Sequence, residues 1–326
     1  MQPFKIVSPH TFLEFSDVFQ ENCSSAHILA GGTDLLAEIN GDIISPSILV
    51  GLTKIQNIKG ITKTPEGIQI GALTTISQIE NDFGLTNDFP ALVQAAASIA
   101  TPQIRNVGTL GGNLCQRPRC WYYRNVAFKC FKKGGEICHA LSGNNKFNAI
   151  LGGNRCYIVH PSDLAVALVS LKSNVTIING SNHKTIPLEE FFIGPQENIL
   201  KENILMNGDV LESISLPVKP ENQKSVFIKS KERSAMDFAL SSVAIVAEIE
   251  QNLINNTSII VGGIAPTPYR LRELENHLNG KNIFEVNFEG MSIPEIENAT
   301  PLKDNSFKIN LTLSLLYRAM NSVFSP

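Results

Sequence analysis

No uninterrupted apolar stretch in this 326-residue chain approaches the roughly 20 residues that a membrane-crossing helix needs, so no span is expected. Cysteine is scarce at six residues, which excludes a small disulfide-stapled scaffold and makes any local gathering of thiols informative. Neither sign of charge prevails. With 27 Lys and Arg against 30 Asp and Glu, the formal charge is -3 and the pI is near 6.1, which provides no general field for nucleic acid. The opening MQPFKIVSPH has no apolar core after its lysine, so an export signal is not expected there. A cytoplasmic location is the default, with carriage on a partner's signal left open. Two sets of fingerprints are missing as well: the glycine patterns of NAD- and ATP-binding loops, and the C-x2-C pairs of zinc ribbons and simple ferredoxins. No low-complexity linker or strong repeat divides the chain.

What is present suits a large folded protein. Hydrophobic residues make up 43%, enough for two or three subdomains. Phe12, Phe15 and Phe19 fall at helical spacing, AHILAGGTDLLAEI reads as strand, glycine turn and helix, and SILVGLTKI and GIQIGAL read as strands. PALVQAAASIA is an alanine-rich helix that stops near Pro102, followed by a second glycine turn in RNVGTLGGNLCQRP. Farther on, CYIVHPSDLAVALVSL suggests a strand turning at Pro161 into a helix. NVTIING, VLESISLP, SVFIKSKE and SIIVGGIA add strands around the apolar run FALSSVAIVAEI, and LTLSLLYRAMNSVF is a closing helix.

The two glycine turns carry the first chemistry. In Ala30-Gly31-Gly32-Thr33-Asp34-Leu35, and again in Thr109-Leu110-Gly111-Gly112-Asn113-Leu114, paired glycines admit a ligand close to the backbone, while free N–H groups and a hydroxyl suit phosphate oxygens. Each pair equally suits a simple tight turn. In HPSD, Ser162 or Asp163 can cap the helix that follows. Lys229 is one of several charges on a strand, and His160 reads as a structural histidine.

Half of the cysteines lie in CWYYRNVAFKCFKKGGEIC. Cys120, Cys130, Cys138 and, farther on, Cys156 follow the spacing C-x9-C-x7-C-x17-C, which by itself is a weak metal signal. Cys115 is a fifth thiol nearby, directly behind the second glycine turn, and reads as a packing residue or as a substitute ligand. His139 is a further possible ligand, and Cys23 reads as a half-buried thiol.

AGGTDLL, TLGGNL about eighty residues later, and HPSDLAVAL, in that order, resemble the FAD-binding subunits of the molybdenum hydroxylases, the xanthine dehydrogenase and carbon monoxide dehydrogenase group. VLESISLP, FIKSKERSAMDFAL and VGGIAPTPYR extend the resemblance over essentially the whole chain. It implies that Ala30, Gly31, Gly32, Thr33, Asp34, Leu35, Thr109, Gly111, Gly112 and Asn113 hold the FAD diphosphate. It also implies that Asp163 bonds a sugar or ribityl hydroxyl and that Lys229 lies near the flavin ring. Between the second glycine turn and the aspartate turn most of the family has a much shorter connection. The cysteine-bearing insertion resembles the minority typified by 4-hydroxybenzoyl-CoA reductase and a periplasmic bacterial aldehyde oxidoreductase, which implies a 4Fe-4S cluster on Cys120, Cys130, Cys138 and Cys156.

The fold so implied is α+β: two N-terminal mixed subdomains enclosing FAD, of the PCMH type, and a C-terminal subdomain of antiparallel sheet with helices. The limits are taken as 1–57, 58–220 with the insertion at about 115–156, and 221–326. Arg117, Arg119, Arg124, Lys129, Lys132 and Lys133 are expected to offset the cluster's negative charge, and Trp121, Tyr122 and Tyr123 to shield it. The chain is too short for a molybdenum domain and has no ferredoxin-type cysteine run. It is therefore expected to be one subunit, working with a molybdenum-cofactor subunit and a small 2Fe-2S subunit and exchanging electrons with an external acceptor or donor. A stand-alone flavin oxidoreductase and a zinc-stapled interaction protein without redox activity are the alternatives.

Overall fold

The computed structural model describes residues 2–22, 25–234 and 236–325, so Cys23 lies outside the described residues. The chain begins with β1 (Lys5–Val7), α1 (Phe12–Glu21), β2 (Ala26–Leu29), α2 (Leu35–Asn40) and β3 (Ile48–Gly51). The strands form a parallel sheet in the order β1-β3-β2, each joined to the next by a helix, as parallel pairing requires. Thr11 caps α1 by accepting the N–H of Glu14. The phenylalanine spacing brings Phe15 and Phe19 onto one buried face, their rings stacked at 4.9 Å.

Next come β4 (Ile61–Thr64), β5 (Gly67–Gly71) and five short helices, α3 (Ile76–Glu80), α4 (Phe83–Asp88), α5 (Pro90–Ala97), α6 (Pro102–Val107) and α7 (Leu110–Leu114). The run to α8 (Asp163–Ser170), all of it described, contains no strand and no α-helix, only 3-10 turns at Phe131–Lys133 and His139–Leu141. β6 (Asn174–Asn179), β7 (Asn182–Pro187) and β8 (Val210–Pro217) then complete an antiparallel sheet in the order β4-β5-β8-β6-β7. Within it Gly71 pairs with Ser213.

The last part is β9 (Gln223–Ser230), β10 (Ser241–Glu250), β11 (Leu253–Gly262), β12 (Tyr269–Arg270), α9 (Arg272–Leu278), α10 (Pro294–Glu297) and α11 (Phe307–Phe324), with an antiparallel sheet ordered β12-β11-β10-β9. β10 is buried on both faces, which is why its sequence is apolar without alternation. Val243, Ile245 and Ala247 share a core with Leu316, Ala319 and Met320 of α11. Ala244 and Val246 join the other core, with Ala91 and Ala95 of α5 and Leu164 and Leu168 of α8. The whole is α+β, as expected.

Two local readings need correction. Gly111 and Gly112 lie inside α7 rather than in an open turn, because Thr109 caps that helix by accepting the N–H of Gly112. Residues 156–162 form no strand. This stretch is tied instead by single bonds, such as the His160 N–H to the Ala265 carbonyl at 3.0 Å, since Pro161 can donate nothing to a ladder.

Candidate cofactor-binding site

The first glycine segment meets Val107 and Gly108, just ahead of the second, backbone to backbone. A Cβ on Gly31 would lie 2.1 Å from the carbonyl oxygen of Val107, and one on Gly111 would lie 2.9 Å from Ala72 Cβ, so both positions require hydrogen there. Gly32 has φ +73, a left-handed conformation that glycine adopts without strain. Among the described residues no acceptor faces the N–H groups of Gly32, Thr33, Asp34 and Leu35. Exposed N–H groups of this kind at a turn form a nest suited to an anion.

A cavity opens on either side of this junction. One, of about 380 Å³, is lined by Ala30, Gly31, Gly32, Leu35, Gly111, Cys115 and Arg117 among others. The second, of about 280 Å³, is lined by Asn113, Arg119, Asp163 and Lys229 among others. Thr33, Asp34, Thr109, Gly112 and Gln116 belong to both walls. The two lobes therefore share a wall, or waist, made of the glycine segments, where the diphosphate of a long molecule would sit.

Asp163 stands at the first turn of α8, whose cap is Ser162, accepting the Ala165 N–H at 3.0 Å. The Ser162 hydroxyl in turn donates to Asn113 Oδ1 at 2.5 Å. With capping done by Ser162, the Asp163 carboxylate is left for Lys229 Nζ at 2.6 Å, with both side chains only 5% exposed. Lys229 also donates to the Ser98 carbonyl. Burial pushes the Asp163 carboxyl above its usual range, and Lys229 opposes that shift. His160 is buried in a T-shaped contact with Phe192 at 4.7 Å; burial pushes its imidazole down to about 4, so it is neutral.

Cys120, Cys130, Cys138 and Cys156 line one small third cavity together with Tyr122, Tyr123, Lys132 and His139. None is in a disulfide. The loop between Cys130 and Cys138 is tight, since a Cβ on Gly135 would meet the Lys129 carbonyl at 2.1 Å. Burial raises both the Cys120 and the Cys156 thiols, the latter to about 12. Backbone N–H groups of Tyr122 and Tyr123 at Cys120, and of Ile158 at Cys156, act in the opposite direction. Asn148 Nδ2 also approaches Cys120 Sγ at 3.8 Å. Cys115 stands in the first cavity rather than with the four, raised to about 12 by burial alone. Among the described residues no three of His, Cys, Asp and Glu gather tightly enough to hold a single metal ion; the four thiols line one cavity of about 10 Å³.

The expected basic surround takes a different form. Arg117, Arg119 and Arg124 turn toward Asp34, Glu38 and Glu202, and of the six basic residues Lys132 alone lines the thiol cavity. The reason is local: carboxylates within reach capture the guanidiniums, which form charge-assisted bonds in preference to facing apolar thiols. Tyr122 and Tyr123 line the thiol cavity, whereas Trp121 is 59% exposed. Gln116 at the waist, Glu38 beside Tyr123, and Asn148 beside Cys120 were not singled out from the sequence. Only their closeness to the glycine and cysteine motifs pointed to them.

Comparisons with known proteins identify the family. Residues 2–219 match the family described as "FAD binding domain in molybdopterin dehydrogenase", and residues 226–323 match "CO dehydrogenase flavoprotein C-terminal domain". The chain belongs to the FAD-binding subunits of the molybdenum hydroxylases. This FAD-binding subunit is 29% identical over 291 residues to the aldehyde oxidoreductase FAD-binding subunit PaoB of Escherichia coli K12, covering 88% of this chain and 87% of that protein. It is 24% identical over 306 residues to the carbon monoxide dehydrogenase medium chain of Hydrogenophaga pseudoflava, covering 93% and 90%. Among solved structures, a carbon monoxide dehydrogenase of that organism superposes with a TM-score of 0.75 at 20% identity, over 99% of this chain and 98% of the other. Quinoline 2-oxidoreductase from Pseudomonas putida 86 gives 0.72 at 18%, over 98% and 96%. At such identities the superpositions bear on fold alone.

Proposed function

We propose that this FAD-binding subunit also carries a 4Fe-4S cluster on Cys120, Cys130, Cys138 and Cys156, and exchanges electrons between a partner's 2Fe-2S clusters and an external acceptor or donor. The observation that carries the reading is a run of shared walls. The lobe holding Asp163 and Lys229 shares Arg119, Pro161, Asp163, Arg233, Asp237 and Phe238 with a further cavity of about 310 Å³. That cavity shares Cys120, Tyr122 and Asn148 with the thiol cavity. The flavin cleft and the thiols are thus separated by side chains rather than by a domain.

The donor set fits a cluster. In a four-iron cube each thiolate takes a different iron, so ligands that surround a space, rather than converge on a point, are what it calls for. The N–H groups aimed at Cys120 and Cys156 suit thiolates that keep part of their negative charge. Ala30 to Leu35 and Thr109 to Asn113 would hold the FAD diphosphate at the waist, Asp163 a hydroxyl of the sugar or ribityl chain, and Lys229, near the flavin ring, would hold Asp163 in place. Bound, FAD supplies the exchange between two-electron and one-electron chemistry, and the cluster supplies one-electron storage. The partners of this reading are a molybdenum-cofactor subunit and a small 2Fe-2S subunit. Its subdomain limits remain 1–57, 58–220 and 221–326, and each segment carries one of the three sheets.

Anaerobic purification, flavin release on denaturation, and iron and zinc analysis of one sample test this. The expected result is FAD with about four irons per chain, as four-thiolate ligation of such a cluster implies. Flavin without iron, after reconstitution has been attempted, removes the cluster. Zinc in place of iron makes the thiols a structural staple.

A further inference from the structure

The first glycine turn lines the waist where a diphosphate belongs, yet the same turn carries Asp34, a carboxylate that would repel it. Asp34 occupies the cap position of α2 but makes no capping bond, although aspartate there ordinarily accepts from the first-turn N–H groups. Its oxygens are drawn away by residues 117–124, at the head of the cysteine insertion. Oδ2 accepts the Arg117 N–H at 2.7 Å, and Oδ1 accepts Arg119 Nη1 and Arg124 Nη2, each at 2.7 Å. Arg124 is itself fixed by the carbonyls of Pro118 and Arg117.

The contacts continue inward without a break. Arg117 Nε donates to the Tyr123 hydroxyl at 3.0 Å, and that hydroxyl donates to Glu38 Oε1 at 2.5 Å. Arg117 Nη1 meets Glu202 Oε2 at 2.9 Å, and the other oxygen of Glu202 meets Lys132 Nζ at 2.5 Å. Lys132 lines the thiol cavity two residues beyond Cys130. Hydrogen bonds as far as Arg117, and beyond it two ion pairs through Glu202, whose Oε1 has no hydrogen-bond partner, thus lead from the glycine turn to the thiol cavity. Two of its arginines carry buried donor atoms with no hydrogen-bond partner, Arg119 Nε and Arg124 Nη1. Arg117 and Arg119 also line one lobe each of the cleft.

We infer that the head of the cysteine insertion is part of the FAD site: Arg119 and Arg124 neutralise Asp34 and hold it off the diphosphate, and Glu202 ties this clamp to the thiol cavity. The inference rests on the assignment of the glycine segments to FAD. These are positioning residues, acting on the flavin through Asp34.

The test is a titration of deflavinated full-length chain with FAD, followed by quenching of flavin fluorescence. Arg124→Met is expected to raise Kd on the order of tenfold or more by uncovering a carboxylate beside a dianion. Asp34→Asn combined with Arg124→Met removes the repulsion and is expected to restore most of the affinity, a recovery that a general loss of packing would not give. Arg119→Met, at a partly exposed guanidinium, supplies the same comparison should the Arg124 variant not fold. Wild-type affinity in both arginine variants, or a double variant as weak as the single one, overturns the clamp. Glu202→Gln lines neither lobe and is expected to weaken FAD in the same direction; an unchanged Kd there overturns the tie to the thiol cavity. Failure of the wild-type chain to bind FAD at all sinks the assignment of the glycine segments instead.

Discussion

Single residues fix how close the two glycine segments approach, and Gly31 is the tightest point. Its missing Cβ is what lets the carbonyl of Val107 come so near. Gly31→Ala is expected to destabilise the fold by about 1–3 kcal/mol, the usual range for overpacking, and to weaken FAD binding by pushing the segments apart. Gly194 has open space where a Cβ would go and an ordinary backbone, so Gly194→Ala is the matched control, expected to change neither. Melting curves and FAD titration of the two variants decide. Gly-Gly was legible as a motif, but whether each glycine was there for conformation or for contact was not. That depends on Val107 and Ala72, which lie outside the motif.

At the level of elements, α8 and the residues leading into it show what can and cannot be read in advance. The helix was legible from HPSDLAVAL, because proline, serine and aspartate ahead of an apolar run are a start signal. The strand expected before it was not there, since the short apolar run Cys156 to Val159, just ahead of His160 and Pro161, looks the same whether or not a neighbouring strand is within reach. His160, in that lead-in, is held neutral by burial, with its value pushed down to about 4. An unfolded histidine titrates near 6.5, so between those values the unfolded chain binds the additional proton. Stability is therefore full above about pH 6.5 and is lost as pH falls toward 4, by at most about 3 kcal/mol from this residue. Denaturant melts across that window are expected to show the slope, and His160→Gln to flatten it. The cysteine insertion was the least legible element. It has no period, and Cys115 and Cys120 are near neighbours in sequence yet face different cavities. The partner of its arginines, Asp34, precedes Arg117 by 83 positions.

For the molecule as a whole, the cleft proposed to hold FAD depends on contact between two cores. β10 and β9 present Ala244, Val246 and Phe227 to α5 and α8, and β9 supplies the Lys229 that meets Asp163. A chain ending at residue 220 would leave that face bare and Asp163 without its ion pair. Each uncovered large apolar side chain costs about 1.5–3 kcal/mol. Such a fragment is expected to bind a hydrophobic dye strongly and to retain no FAD on gel filtration, whereas the full chain retains it; dye fluorescence and flavin per chain are the measurements. The pairing of β5 with β8, Gly71 opposite Ser213, bears on how such a subunit accommodates an insertion at all. It closes a loop of roughly 140 residues, and because closure entropy grows only with the logarithm of length, the forty or so residues of the insertion add about 0.3 kcal/mol to that closure. In polymer terms the insertion is nearly free to the sheet that encloses it. Its main cost is its own ordering, which falls on contacts such as Asp34 with its arginines and Lys132 with Glu202.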